Sequence, residues 1–396
     1  MTLTEVNPEK LGLNRDRLNR LMAMLQDEVA RKRLPGAVAL VARHGQLALF
    51  DSVGYLNPDT GEAMHRDARF RIYSMTKPIM SVAAMMLMEE GRLLLADPVA
   101  KYLPEFGAQQ VALSVDGELR LQPVKRAATL HDLLRHTAGM TYEFLGSGTV
   151  QRQYSQLRLN SRERSLADFT RQLAGIPLMF EPGTTFEYSR ATDVLGRVVE
   201  VVSGQTLQEF LAERIFDPLR MPDTGFNVPK HFHDHIAEPF ARDPEGGVQM
   251  RVIDVRTDAA LASGGGGLVS TARDYARFLQ CLLNRGELDG VRLLGSRTVD
   301  FMTTDHLGDI PVASGGSQSL LPPGHGFGLG FAVRKQLGVA PVPGSPGTYF
   351  WGGLAGTTFF VDPSLNLLAC LMLQAPNQRE HFRMLFRDLV YAAVMD

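Results

Sequence analysis

The sequence predicts an α/β (α+β) fold: one antiparallel sheet built from the N- and C-terminal segments, flanked by helices, with a mostly helical domain inserted. Three observations predict it. Alternating apolar runs of strand length occur near both ends of the chain. The middle is dominated by helical periodicity and loops. The 396 residues, 44% apolar and 21% charged, are enough for a large core. Strands at both ends with helices between them are most economically joined as one sheet interrupted by an insertion. The expected division is an α/β domain of residues 1–115 and 255–396 and an inserted domain of residues 116–254. A cleft between the two is the default site.

The elements follow in order. Pro35-Gly36 opens the alternating run 37–42, His44-Gly45 turns it, and 47–50 returns, which reads as a β-hairpin. A helix then runs from Ser74 to about Glu90 and stops at Gly91; Pro78 is tolerated because it falls near the helix start. Thr129 with Asp132 resembles a capping box for a short helix over 130–135. Residues 193–202 form another helix, ended by Ser203-Gly204. The glycine run 264–267 leads to Thr271, which caps a helix through about Leu283. Strands return at 327–333, 348–352, 357–361 and 367–373, and a helix over about 380–394 closes the chain.

Charge and composition exclude several function classes. A formal charge of −2 gives no electrostatic case for nucleic acid, and the basic residues are scattered. No apolar run is long enough to span a bilayer, so no membrane partner is expected. The polar, mixed-charge first 21 residues lack the apolar stretch of a signal peptide. Cys281 and Cys370 lie in apolar stretches and read as buried free thiols. Together these predict a cytoplasmic protein.

The candidate chemistry begins at Ser74-Met75-Thr76-Lys77. Serine at a helix start and lysine three residues on share a face, so the amine reaches the hydroxyl and takes its proton. With 18 Ser and 7 Lys in the chain, chance supplies such a pattern roughly 0.3 times. Composition alone favours a capping serine and a surface lysine here. Tyr188 is the candidate second proton carrier, since a tyrosine near amines can have its pKa lowered; an ordinary half-buried tyrosine is the alternative. Trp351-Gly352-Gly353 ends a late strand, where paired glycines let a substrate carbonyl approach backbone N–H groups; a packed bulge is the alternative.

Four ordered segments resemble the serine β-lactamase and penicillin-binding-protein superfamily, in its class C-like branch that includes the family VIII carboxylesterases. They are Tyr73-Ser74-Met75-Thr76-Lys77, the run 133–139 (LLRHTAG), Pro182-Gly183 through Tyr188-Ser189, and the run 265–272 (GGGLVSTA). The resemblance implies a β-lactamase/transpeptidase-like fold, with Ser74 as acyl-enzyme nucleophile, Lys77 as its activating amine and Tyr188 as general acid/base. It also implies an oxyanion hole from the backbone N–H groups of Ser74 and Leu354. Two departures stand out. The Tyr-x-Asn motif of β-lactamases is Tyr188-Ser189-Arg190 here, and the Lys-Thr-Gly motif is replaced by Trp351-Gly352-Gly353. The amide, cation and hydroxyl that hold a β-lactam are thus gone. An aromatic wall suits a neutral ester, as in the family VIII esterases.

The expectation is therefore a carboxylesterase acting on small-molecule, short-chain acyl esters, with Trp351, Gly352, Gly353 and Arg190 at the substrate. No metal or organic cofactor is required. The alternatives on the same scaffold are a β-lactamase, a D,D-peptidase or amidase, an acyltransferase, or a catalytically silent protein. His231-Phe232-His233-Asp234-His235 is one residue short of a zinc-binding pattern and reads as a histidine-rich loop. The glycine run lacks a following Gly-Lys-Ser/Thr, and no Gly-x-Ser-x-Gly elbow occurs. His136 is read as structural.

Overall fold

The strands at the two ends of the chain do meet in one sheet. A computed structural model describes residues 3–115, 118–159 and 161–395. Its main sheet has eight strands: β1 (Gly36–Arg43), β2 (Gln46–Asn57), β3 (Glu62–Ala63), β4 (His325–Phe327), β5 (Ala332–Arg334), β6 (Tyr349–Gly352), β7 (Thr358–Asp362) and β8 (Leu367–Leu373). Their spatial order is β4-β5-β6-β7-β8-β1-β2-β3, and every pair is antiparallel. The N-terminal hairpin joins the C-terminal strands through the β1–β8 ladder, Ala37 opposite Leu373 through Arg43 opposite Leu367.

Both faces of this sheet are covered, which explains why β1 is buried along its whole length. Side chains alternate across a strand. Ala37, Ala39 and Val41 face helices α1 (Arg15–Ala30) and, near the C-terminus, Arg379–Ala393, packing with Leu18, Leu21, Leu25, Phe382 and Phe386. Val38, Leu40 and Ala42 face the opposite core, which contains the helices Thr76–Glu89 and Ala272–Leu283. Each fully buried leucine in these layers contributes about 1.5–3 kcal/mol over an exposed one. The remaining helices include α2 (Thr76–Glu89), α3 (Leu130–Leu134), α4 (Ala191–Ser203), α5 (Ala272–Leu283) and α6 (Arg379–Ala393), with others at Thr149–Gln156, Leu166–Ala174, Leu207–Leu211, Asp217–Leu219, Ser296–Met302 and Gly316–Leu320.

Local signals set most boundaries. Thr129 and Asp132 form a capping box on α3, Gly204 at φ +78° closes α4, and Thr271 caps α5. Both cysteines are buried and free. No helix among the described residues is long and apolar enough to cross a membrane.

One reading differs from the structure. Residues 327–333 are not one strand: Gly328 and Gly330 turn the chain between β4 and β5. A Cβ at Gly328 would lie 2.3 Å from Met302 O, and Gly330 (φ +95°) sits against Ser81 of α2. A separate hairpin pairs Gln110–Val115 with Glu118–Pro123.

Gly330→Ala should lose at least about 2 kcal/mol, combining left-handed backbone strain with a clash against the helix that carries Lys77. Denaturant unfolding measures this, and an unchanged midpoint would contradict the packing described.

Candidate active site

Helix α2 explains how a lysine comes to be buried. From Thr76 to Leu87 every residue of α2 is buried, and Lys77 in its first turn is 0% exposed. Ser74 precedes it on a 3₁₀ turn, Tyr73–Met75, closed by Met75 N–H on Ile72 O at 3.0 Å. Between residues 68 and 87 Ser74 alone is not buried, so its hydroxyl is the opening onto solvent. Tyr73 has φ +43°, a costly conformation for an aromatic residue, held by its hydroxyl accepting the Ile253 N–H at 2.8 Å.

The four sequence segments converge here. Ile72 N–H donates to Leu268 O at 3.0 Å, and Leu268 N–H donates to Thr76 Oγ1 at 3.2 Å, which ties the glycine run to α2. Gly183 N–H donates to Thr137 O at 2.7 Å, and Glu187 N–H donates to His136 O at 2.9 Å, which ties the tyrosine loop to α3. His136, buried at φ +58°, bonds Ser189 Oγ through Nδ1 at 3.2 Å and packs 4.8 Å from the Tyr188 ring.

The Lys77 amine has three partners: Gly265 O at 2.6 Å, Tyr142 Oη at 3.0 Å and Ser74 Oγ at 3.3 Å. Burial pulls its pKa down to about 7; Asp193 opposes that shift and Arg190 reinforces it. A neutral amine has two N–H bonds and one lone pair. The N–H bonds suit Gly265 O and Tyr142 Oη, leaving the lone pair toward the Ser74 hydroxyl. That is the arrangement of a base beside a nucleophile.

Tyr188 is 3% exposed, and Ser74 is near enough to its hydroxyl to favour the ionised form. The sequence reading allowed its pKa to fall; the structure gives the opposite direction. Burial outweighs the effects of Ser74 and Trp351 and pushes the phenol above its ordinary range. Trp351 Nε1–H donates to Tyr188 Oη at 3.1 Å, so the tryptophan, 5% exposed, orients the tyrosine. Tyr188 is held neutral, suited to passing a proton on rather than to standing as a phenolate.

Trp351 and Gly352 end β6, and a tight turn follows. Its own bonds, Gly353 N–H to Thr357 O, Gly356 N–H to Gly353 O and Ala375 N–H to Ala355 O, leave out the Leu354 N–H. A Cβ at Gly353 would lie 2.4 Å from Ile72 O, so glycine lets the turn press against the strand of backbone leading to Ser74.

Arg190, expected at the substrate or in a salt bridge, is 8% exposed, with its guanidinium 2.6 Å from Glu143 and 3.7 Å from Asp193. Its partners are protein carboxylates and the Tyr142 ring, 4.8 Å away. Asp193, on α4, in turn accepts Gly265 N–H at 3.0 Å and Ser263 Oγ–H at 2.5 Å, fixing the glycine whose carbonyl holds Lys77. Sequence reasoning missed Tyr142 and Asp193. Tyr142 lies three residues past the 133–139 segment, and Asp193 was read only as a helix start. Away from the site, His233 bonds Val228 O and His235 packs on His65; no metal-binding group of three side chains occurs among the described residues.

Comparison with known proteins bears on the family and the fold. A family model described as Beta-lactamase matches residues 21–393. The chain is 34% identical to Esterase EstB of Burkholderia gladioli, over 99% of this chain and 100% of that protein. It is 32% identical to a lovastatin esterase of Penicillium rubens, over 76% of this chain and 78% of that one. Among solved structures it resembles "EstCE1, a hydrolase with promiscuous acyltransferase activity", with TM-score 0.79, 28% identity, and coverage of 95% and 98% of the two chains.

The pH dependence of Ser74 modification by a fluorophosphonate tests the amine. The rate should rise as pH passes about 7, because only the neutral amine accepts the serine proton. Asp193→Asn keeps the shape but removes the charge that raises the Lys77 pKa, so its rise should move to lower pH. Arg190→Gln should move it the other way. A rise at the same pH in all three proteins would detach Lys77 from the reaction.

Proposed function

This chain belongs to the beta-lactamase family, as an enzyme of that fold, and we propose that it hydrolyses short-chain carboxylic esters through a Ser74 acyl-enzyme. The observation that carries this reading is the buried Lys77 amine, with a pKa near 7, 3.3 Å from the hydroxyl of a solvent-facing serine. The replacement of a Lys-Thr-Gly motif by Trp351-Gly352-Gly353 favours a neutral substrate over an anionic one. EstB and the lovastatin esterase are named for ester cleavage, which supports the same choice.

The reaction then proceeds as follows. Neutral Lys77 takes the Ser74 proton as Oγ bonds to the ester carbonyl carbon. The carbonyl oxygen becomes an oxyanion, held by the N–H groups of Ser74 and Leu354. As the tetrahedral species collapses, the C–O bond to the alcohol breaks. Tyr188 gives its proton to the departing alkoxide and is reprotonated from the Lys77 ammonium. Water enters, loses a proton to the same pair, attacks the acyl carbonyl, and Ser74 leaves with the proton returned to it. Trp351 keeps the Tyr188 hydroxyl aimed at this path. The same reading divides the chain into residues 1–115 and 255–396, which carry Ser74, Lys77 and Leu354, and residues 116–254, which carry Tyr142 and Tyr188.

A second reading, acyl transfer, follows from the same intermediate when an alcohol replaces water. The solved hydrolase EstCE1 carries that activity in its description.

Intact-mass measurement should find one fluorophosphonate adduct on the unmodified chain and none on Ser74→Ala; an adduct persisting in Ser74→Ala removes the nucleophile. p-Nitrophenyl butyrate should give a higher kcat/KM than nitrocefin, and the reverse ranking would make the protein a β-lactamase. Tyr188→Phe should fold normally and lose roughly 10²–10⁴-fold in kcat, with near-normal turnover assigning the proton transfer elsewhere.

A further inference from the structure

The turn that carries Leu354 is gripped from behind by an arginine that no part of the sequence reading noticed. Arg383, on α6, donates from its guanidinium to Gly353 O at 2.5 Å and to Glu380 Oε1 at 2.7 Å. Its side chain is 18% exposed, and its Nε is buried without a hydrogen-bond partner. Gly356 N–H donates to the same carbonyl oxygen at 3.0 Å.

Gly353 C=O and Leu354 N–H belong to one peptide unit, and the described chain has no cis peptide. In a trans planar amide the two bonds point in opposite directions. Whatever fixes the carbonyl on one side therefore aims the N–H on the other. Two donors on one carbonyl also draw electron density from the nitrogen and strengthen its N–H as a donor, since hydrogen bonds in a chain polarise one another. One of these donors is a full cation in a site with little water, where its effect is larger. Gly352 permits the approach: a Cβ there would lie 2.6 Å from the guanidinium carbon of Arg383. The first glycine of Trp351-Gly352-Gly353 thus makes room for the arginine, and the second lets the turn reach the backbone before Ser74.

We infer that Arg383 is a positioning residue for the oxyanion: it aims and polarises the Gly353–Leu354 peptide whose N–H stabilises the tetrahedral intermediate. The inference rests on the acyl-enzyme reading above. An oxyanion exists only after attack, so the contribution falls on the transition state and not on substrate binding. Losing an oxyanion donor outright costs roughly 10²–10³-fold in kcat; loosening one costs less.

The test compares Arg383→Met and Arg383→Lys with the unmodified chain on p-nitrophenyl butyrate, with Ser74 labelling by a fluorophosphonate in parallel. Arg383→Met should lose roughly 10- to 100-fold in kcat, with KM within about threefold and the acid limb of the pH profile unmoved. Arg383→Lys, which restores a cation at the carbonyl, should lose less. Unchanged kcat in a folded Arg383→Met overturns the inference, as does a loss confined to KM. A displaced acid limb also overturns it, since that would put Arg383 on Lys77. If Arg383→Met does not fold, Arg383→Gln, which also removes the cation, decides: a loss of kcat of about threefold or more at unchanged KM supports the inference, and unaltered kcat refutes it. Absence of Ser74 labelling in the unmodified chain is a separate result, which removes the acyl-enzyme reading and this inference with it.

Discussion

The site depends on one buried contact, the Lys77 amine on the Gly265 carbonyl. A lysine with no exposure is stable only if it gives up its charge or finds compensating partners. Here burial dominates, and the amine is brought near neutrality by surroundings that include an aspartate and an arginine of opposing effect. Much of the neighbouring structure serves that contact. Asp193 anchors the glycine, Arg190 lies between Asp193 and Glu143 and pairs with both, and the glycine run lies close enough to α4 that side chains on it would collide with Asp193 or Thr192.

Tertiary packing assigns the residues around this contact to distinct tasks. Trp351, Glu187 and Ser317 organise Tyr188: the indole holds its hydroxyl, while Ser317 accepts the Tyr188 N–H at 3.0 Å and donates to Glu187 at 2.6 Å. Thr141 donates to the other Glu187 oxygen at 2.7 Å. This network links the tyrosine loop to the segment after α3 and to the residues around 317. The strained Tyr73 backbone holds Ser74 proud of an otherwise buried stretch. Lys77 and Tyr188 are thus buried and hydrogen-bonded, while Ser74 is half-buried beside them.

Much of the architecture was legible in the sequence because it rests on local rules. The hairpin, the caps at Thr129 and Thr271, the stop at Gly204 and the period-2 strands each have a signal within a few residues. The strand over 327–333 was misread because its glycines look like ordinary strand residues until the helix behind them is present. Tyr142, Asp193 and Arg383 carried no signal, since a single polar residue in a loop or helix has no period to betray it.

By itself the sequence determined the elements, the common sheet formed by both ends of the chain, and the Ser74–Lys77 pair with Tyr188 as its partner in the four-segment resemblance. Only the tertiary structure decided the electrostatics. It pushed the tyrosine pKa up where proximity to amines had allowed it to fall, and it put Arg190 in a buried ion pair. The physical reason is that periodicity and capping act over one or two turns of chain. Desolvation and charge coupling, in contrast, depend on every group brought near by folding, and those groups here lie far apart in the chain, 47 residues for Arg190 and Glu143 and 188 for Lys77 and Gly265.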